Sequence, residues 1–386
     1  MKRLFFVAGE SSGDIHGSNL VRALRAARPD WSFEGLGGKL MAGAGMELRH
    51  DLAGEAIMGF AEVVRHLRPI RRLFNDTVAR LRGMPPDALV LIDYPGFNLR
   101  LAAEAKKLGI PVVYYVSPQV WAWKKRRIHT IARLVDLMLV IFPFEEELYR
   151  RVGVPCAYVG HPLLDHIALY HAPDAKEQEM VIGLLPGSRE QELRRIAPVM
   201  FEVAAGIREH HPEARFVVPC VDEARAEQVR RLANGFPAEL RVGGMYDVLS
   251  RARFCLVASG TATLETALFG VPMAILYKTS ALTYWIARMV VDIKHIGIVN
   301  ILAKRGVVPE FIQHGATRDS VLPAALDLIE DTPARRRMLD DLCAVREGLG
   351  GVGASGRAAE NIVGLLERTT GSAGVPPAVF GGMING

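Results

Sequence analysis

Along most of the chain, short runs of consecutive apolar residues alternate with longer stretches whose apolar positions recur every three to four residues. This is the pattern of βα units wound around parallel sheets. In the first half it predicts strands at 4–8, 32–36, 88–92, 111–116, 137–142 and 156–159, with helices at 17–27, 61–82, 98–108, 124–134 and 145–152. The runs 112–116 and 137–142 show no polar alternation, as strands covered on both faces require. A polar stretch at 166–179, containing Pro173, interrupts the series and reads as a linker.

A second series follows, with strands at 180–185, 215–219, 240–242, 254–258 and 273–277. Its helices are expected at 190–210, 224–233, 246–252, 263–269 and 282–290, then at 318–329, 334–347 and 356–368. The fold class expected is α/β, with two doubly wound Rossmann-like domains facing a cleft at the carboxyl ends of their strands. Residues 1–168 would form the first domain and 169–345 the second; 346–368 would be a C-terminal helix packing back on the first. The stretch 369–386 carries no charge, is rich in Gly and Pro, and reads as a disordered tail.

Composition narrows the class. With 386 residues, 50% of them apolar and 23% charged, the chain holds enough for two cores and does not read as intrinsically disordered. A net charge of +5 is a mild basic excess that suits anionic ligands or an anionic membrane surface. No continuous cationic stripe accompanies it, so nucleic acid is not an expected partner. Cys156, Cys220, Cys255 and Cys343 lie far apart with no C-x-x-C pair, the pattern of a reduced, cytoplasmic protein. The apolar run behind Lys2-Arg3 ends at Gly9, too short for a signal peptide, and nowhere do about 18 apolar residues run together.

Candidate chemistry sits where predicted strands end. The first strand runs into Gly9-Glu10-Ser11-Ser12-Gly13-Asp14, whose small residues let backbone N–H groups approach an anion at a helix start. The same residues suit an ordinary βα turn with Asp14 as the N-cap. The strand 88–92 ends in Asp93, a carboxylate placed to act as a general base, or else to cap a turn before Pro95, with Asn98 offered as the helix N-cap. Ser117-Pro118-Gln119-Val120-Trp121-Ala122-Trp123 precedes four cations, Lys124 to Arg127, which suits a phosphate clamp, a membrane surface, or buried tryptophans beside a solvated helix start. The stretch from Ile57 to Phe74 mixes apolar residues with Arg65, His66, Arg68, Arg71 and Arg72, and fits either an interfacial helix or a crossover helix with a basic face.

In the second half, Pro186-Gly187-Ser188-Arg189 offers a tight turn and an arginine able to hold a phosphate. Ser259-Gly260-Thr261 opens a helix N-terminus suited to a diphosphate, with Glu265 a turn further on, within reach of ribose hydroxyls. Two such turns in one domain point to a nucleoside diphosphate. No Asp-x-Asp occurs, and the spacing of His161, His166 and His171 puts no two on one helical face, so no metal is expected.

Taken together, these motifs resemble the lipid-A-disaccharide synthase family, as does Val299-Asn300-Ile301-Leu302-Ala303, in order from residue 4 to about 368. The resemblance implies a metal-independent, inverting GT-B glycosyltransferase of the bacterial cytoplasm, peripheral on the inner membrane and without a cofactor. It would join UDP-2,3-diacylglucosamine to 2,3-diacylglucosamine 1-phosphate (lipid X), giving the β-1,6-linked lipid A disaccharide 1-phosphate and UDP. By position Asp93 matches the catalytic aspartate, and Arg189, Glu265 and Asn300 match donor-site residues, with Gly187, Ser188, Ser259, Gly260 and Thr261 in the same UDP loops. Glu10, Ser11, Ser12, Gly13, Asp14, Trp121 and Trp123 would line the acceptor side. Implied partners are the two acylated sugars, the anionic membrane surface and a second copy in a homodimer. Another UDP-N-acetylglucosamine transferase or a UDP-sugar epimerase could use the second half equally well, but the tryptophan motif is foreign to both. A nucleotide- or nucleic-acid-binding module would need a recognition helix that the sequence lacks.

Overall fold

The computed structural model describes residues 1–55, 67–121, 126–171, 179–280 and 294–371. The predicted helix at 282–290, the first part of the basic stretch and the stretch after 371 lie outside them. Two compact units are present. Among the described residues, the first comprises those of Met1–Pro118, Arg126–Val159 and Gly353–Gly371; the second comprises those of Gly160–Val352 and Gln119–Trp121. The chain thus changes unit earlier than the polar stretch at 166–179 suggests. The physical reason is aromatic packing. His166 and Tyr170 set their rings edge-on against Tyr246, with centroids at 5.5 and 5.7 Å. This draws the helix Pro162–Ala168 into the second unit.

In the first unit the strands β1 (Arg3–Ala8), β2 (Ser32–Leu36), β3 (Glu47–His50), β4 (Ala88–Ile92), β5 (Val112–Tyr115), β6 (Leu137–Val140) and β7 (Cys156–Tyr158) form one sheet. The order is β3-β2-β1-β4-β5-β6-β7, and every pairing is parallel. The second unit holds β8 (Val181–Leu185), β9 (Arg215–Cys220), β10 (Ala238–Val242), β11 (Ala252–Ala258), β12 (Met273–Tyr277) and β13 (Glu310–Ile312), ordered β10-β9-β8-β11-β12-β13 and again all parallel. The edge strands β3 and β13 are additions to the sequence reading. They are short, and neither has the apolar run that marks the central strands.

Residues Ala88 to Ile92 of β4 are fully buried, as are most of β1 and β5. Covering helices account for this, since parallel sheets are apolar on both faces. Glu34 interrupts the apolar pattern of β2, 4% exposed. Arg80 and Arg49 bond its Oε2 at 2.7 and 2.9 Å and Arg3 lies 3.6 Å from Oε1, which compensates a buried carboxylate. The C-terminal helix Ala354–Gly371 packs against Ser11–Ala27, and Lys2 Nζ donates to the Leu366 carbonyl at 2.8 Å.

The helix after β1 begins at Ser11, earlier than the periodicity predicts. Asp14 is therefore inside its first turn and is not its N-cap, a position that Glu10 occupies. The Asp14 carboxylate instead accepts the backbone N–H groups of Gly38, Leu40 and Met41, each at 3.0 Å, and so caps the short helix Lys39–Gly43. Gly38 is required there, because a Cβ would lie 2.4 Å from Asp14 Oδ2. Asp14→Ala strands these donors and should cost about 1–3 kcal/mol. Thermal unfolding of the full chain checks this; an unchanged melting temperature contradicts it.

Candidate active site

Strand order reverses between β1 and β4 in one unit and between β8 and β11 in the other. In doubly wound sheets the loops on the two sides of such a reversal part, leaving a crevice beyond the carboxyl ends. The four motif loops, beginning at Gly9, Asp93, Pro186 and Ser259, leave those four strands.

In the first unit the structure brings Glu10 and Asp93 together. Burial pushes the Asp93 carboxyl up to about 7; the charge of Glu10 adds to the rise and a backbone hydrogen bond at Tyr94 opposes it. Asp93 and Tyr94 both take left-handed backbone, with φ of 44° and 45°. Each such non-glycine residue costs on the order of 1–2 kcal/mol. The turn is held by its neighbours. Asp93 N–H donates to the Tyr115 carbonyl at 3.1 Å, while the Asp93 carbonyl accepts from Asn98 Nδ2 at 2.7 Å and from the Tyr114 hydroxyl. Asn98 is not the helix N-cap: the helix runs Pro95–Lys107 from a Tyr94 cap, with Pro95 in its first turn. The Tyr94 ring lies over Gly9, where a Cβ would come within 2.2 Å of Cδ1, and stacks on Phe97.

Of the other first-unit candidates, Ser11 is exposed, Ser12 partly buried and Gly13 buried, all in the first helical turn. Asp14 is engaged as described and has little left to offer a ligand. Trp121, which groups with the second unit, is half-buried, and Trp123 lies outside the described residues. The first unit also holds a network that sequence reasoning missed. Ser117 Oγ lies 3.0 Å from Glu145 Oε1 and 2.9 Å from the Tyr149 hydroxyl, and Glu145 Oε2 accepts the Phe142 N–H at 3.2 Å. It braces Val116, another left-handed residue at φ 63°. The Pro143-Phe144-Glu145 helix start was the one signal available, and it speaks only to capping.

In the second unit Gly187 has φ 100°, and a Cβ there would meet Glu192 Oε2 at 2.6 Å. Arg225 Nε donates to the Ser188 carbonyl at 3.2 Å. The Arg189 side chain is 73% exposed and meets only Glu192 among the described residues, at 3.2 Å, a surface pair that a phosphate readily displaces. Ser259 N–H pairs with the Leu276 carbonyl at 3.0 Å, Gly260 caps the helix Thr261–Leu268 and accepts the Thr263 N–H at 3.1 Å, and the N–H groups of Thr261 and Ala262 have no intrahelical partner. Burial raises the Glu265 carboxyl; the Tyr246 hydroxyl donates to its Oε1 at 3.2 Å and counteracts the rise. Most acceptor capacity of that carboxylate is left for a ligand.

Asn300 departs from expectation. It is 1% exposed, and its amide donates to the Val308 carbonyl at 2.8 Å and Glu310 Oε1 at 2.7 Å. Its oxygen accepts the N–H groups of Val307 and Val308, both at 2.8 Å. All four hydrogen-bonding positions are occupied, so Asn300 holds the chain entering β13 and has none left for UDP. Glu310, which the sequence reading passed over, gathers Asn300 with the N–H groups of Ile296 and Gly297, each at 2.9 Å. Among the described residues no group of three His, Cys, Asp or Glu is placed to hold a metal ion.

A family model described as lipid-A-disaccharide synthetase matches residues 4–353. The chain belongs to the lipid-A-disaccharide synthase family. Curated relatives with that name include one from Syntrophus aciditrophicus, 41% identical over 95% of this chain and 99% of its own, and one from Geobacter sulfurreducens, 40% identical over 94% and 97%. Among solved structures, a Staphylococcus aureus protein in complex with UDP superimposes with a TM-score of 0.68 at 14% identity, covering 99% and 100% of the two chains. The calicheamicin glycosyltransferase gives 0.61 at 14% identity, covering 96% and 98%. These likenesses show the GT-B fold. Family membership makes the chain a glycosyltransferase of lipid A biosynthesis. For a lipid-A-disaccharide synthase, Asn300→Ala should lower stability by about 1–3 kcal/mol while weakening UDP binding less than Arg189→Ala. Calorimetric melting and titration with UDP separate the two effects.

Proposed function

We propose that the chain transfers the sugar of UDP-2,3-diacylglucosamine, with inversion, to the 6-hydroxyl of 2,3-diacylglucosamine 1-phosphate. The oxygen of that hydroxyl attacks the anomeric carbon, its proton passes to Asp93, and the bond to the diphosphate breaks with its electron pair leaving on UDP. The observation that carries the reading is the place of Asp93, half-buried at the end of β4 beside the strand reversal, where burial pushes its carboxyl up to about 7. A base poised near the working pH is the most effective, and such catalysis is typically worth about 10²–10⁴-fold. In the second unit, Arg189 and the N-terminus of the helix Thr261–Leu268 suit the diphosphate and Glu265 suits the ribose, a field that can stabilise the leaving group without a metal.

Asp93→Asn keeps the shape and removes the basicity, so turnover should fall by about 10²–10⁴-fold while UDP still binds. A carboxyl raised to about 7 is ionised only above that pH, so the wild-type rate should climb as pH rises through about 7 and fall below it. EDTA should leave activity intact. Near-normal turnover of the Asn variant, or loss in EDTA restored by Mg²⁺, contradicts the reading.

Because both proposed substrates are acylated, the reading also places the chain against the cytoplasmic face of the inner membrane. No helix among the described residues is long and apolar enough to cross a membrane. In the described part of the basic stretch, Arg68, Arg71 and Arg72 are exposed on the helix Leu67–Gly83, whereas Phe74 meets Phe97 edge-on at 5.5 Å. Each cation near an anionic surface adds about 1 kcal/mol. The triple variant Arg68→Ser/Arg71→Ser/Arg72→Ser should therefore co-sediment less with anionic vesicles at low salt; sedimentation equal to wild type puts the contact elsewhere.

A further inference from the structure

We infer that Asn98 and Tyr114 are positioning residues for Asp93, together holding the strained turn at the end of β4 through the main-chain carbonyl of Asp93. This rests on the reading of Asp93 as the general base.

Two successive left-handed non-glycine residues are an unstable way to leave a strand, and they persist only where surrounding contacts over-determine them. The contacts here converge on one atom. Asn98 Nδ2 donates to the Asp93 carbonyl at 2.7 Å and to the Ile92 carbonyl at 3.2 Å, and the Tyr114 hydroxyl donates to the same Asp93 oxygen. Both residues come from elements anchored elsewhere, Asn98 from the helix Pro95–Lys107 and Tyr114 from β5, and both are 0% exposed.

Asn98 bears a cost that packing alone does not explain. Its Oδ1 is buried without a hydrogen-bond partner. Turning the amide over would set that oxygen against two carbonyls, so the residue is present for its two N–H groups. A buried orphan acceptor beside a strained carboxylate marks a place where geometry is kept at the expense of local stability. Burial holds the Tyr114 phenol protonated, which keeps it a donor across the working pH range. The titratable groups facing Asp93 are Glu10 from the end of β1 and Tyr114 of β5; Tyr94 reaches it through its backbone, and Arg127 acts on Tyr114.

The test compares Asn98→Ala, Tyr114→Phe and Asp93→Asn in the full chain, measuring kcat and KM for both substrates, the pH profile and thermal melting. A displaced reacting group costs on the order of 10²-fold. Asn98→Ala should lower kcat by about that much, with KM for the UDP-sugar within twofold. Its acidic limb should move below pH 7, because a loosened turn lets water reach the carboxyl. Tyr114→Phe, which fills the same space, should show the same split and shift to a smaller degree, and decides the matter if Asn98→Ala does not fold. Unchanged kcat and acidic limb in folded variants, with Asp93→Asn inactive, overturn the positioning role and leave the base in place. An active Asp93→Asn overturns the base and the inference with it.

Discussion

A parallel sheet covered on both faces leaves no room for chemistry inside it. Its strand interiors are apolar except where, as at Glu34, a buried charge is fully paired, so a group free for chemistry appears only where a strand stops, and all strands of a parallel sheet stop on the same edge. The fully buried run Ala88–Ile92 ends, and the next residue is Asp93. Leu185 is followed within a few residues by Arg189, and Ala258 by Ser259 and Gly260. The reversal of strand order at β1/β4 and β8/β11 then selects which of these ends lie beside a crevice. Covering both faces fixes the edge; the winding fixes the place along it.

Within that edge, the two units solve different problems. The second presents groups with spare capacity: an exposed guanidinium, the open N–H groups of a helix start, and a carboxylate anchored at one oxygen by Tyr246. Tyr246 is itself clamped, with Phe269 at 5.1 Å and the rings of His166 and Tyr170 around it. The first unit instead presents a single carboxyl in an expensive conformation. Gly9 makes room for the Tyr94 ring, and the amide of Asn98 ties down the main chain. In the proposed reaction, binding a flexible diphosphate tolerates mobile partners, whereas taking one proton from one hydroxyl does not.

Much of this was legible in the sequence, because burial on both faces leaves uninterrupted apolar runs that end at recognisable turns. The central strands and the helices 190–210 and 318–329 follow directly from that signal. What escaped depends on contacts between distant residues. Glu47–His50 and Glu310–Ile312 are edge strands, short and half-exposed, and pair only because a neighbour is already in place. Asp14 reads as a cap for its own helix, since only the fold brings Lys39–Gly43 beneath it. Asn98 reads as a cap too, but Pro95, itself a helix-start signal, opens the helix three residues earlier, and only the fold shows the amide bonded back to the end of β4. Asn300 matched a binding motif, yet its partners at 307, 308 and 310 engage it fully.

The chain enters the second unit after Val159 and returns to the first at Gly353. A ribosome meets that topology in one order only. Residues 160–352 are all synthesised before the helix Ala354–Gly371 exists, so the later unit has its whole sheet while the earlier one still lacks its last helix. Until then the Ser11–Ala27 helix is without the partner it packs against in the finished fold. Birth order and completion order are therefore reversed: the amino-terminal unit, first out of the exit tunnel, is the last to be completed, and the nascent chain carries the uncovered face of the Ser11–Ala27 helix through most of its synthesis.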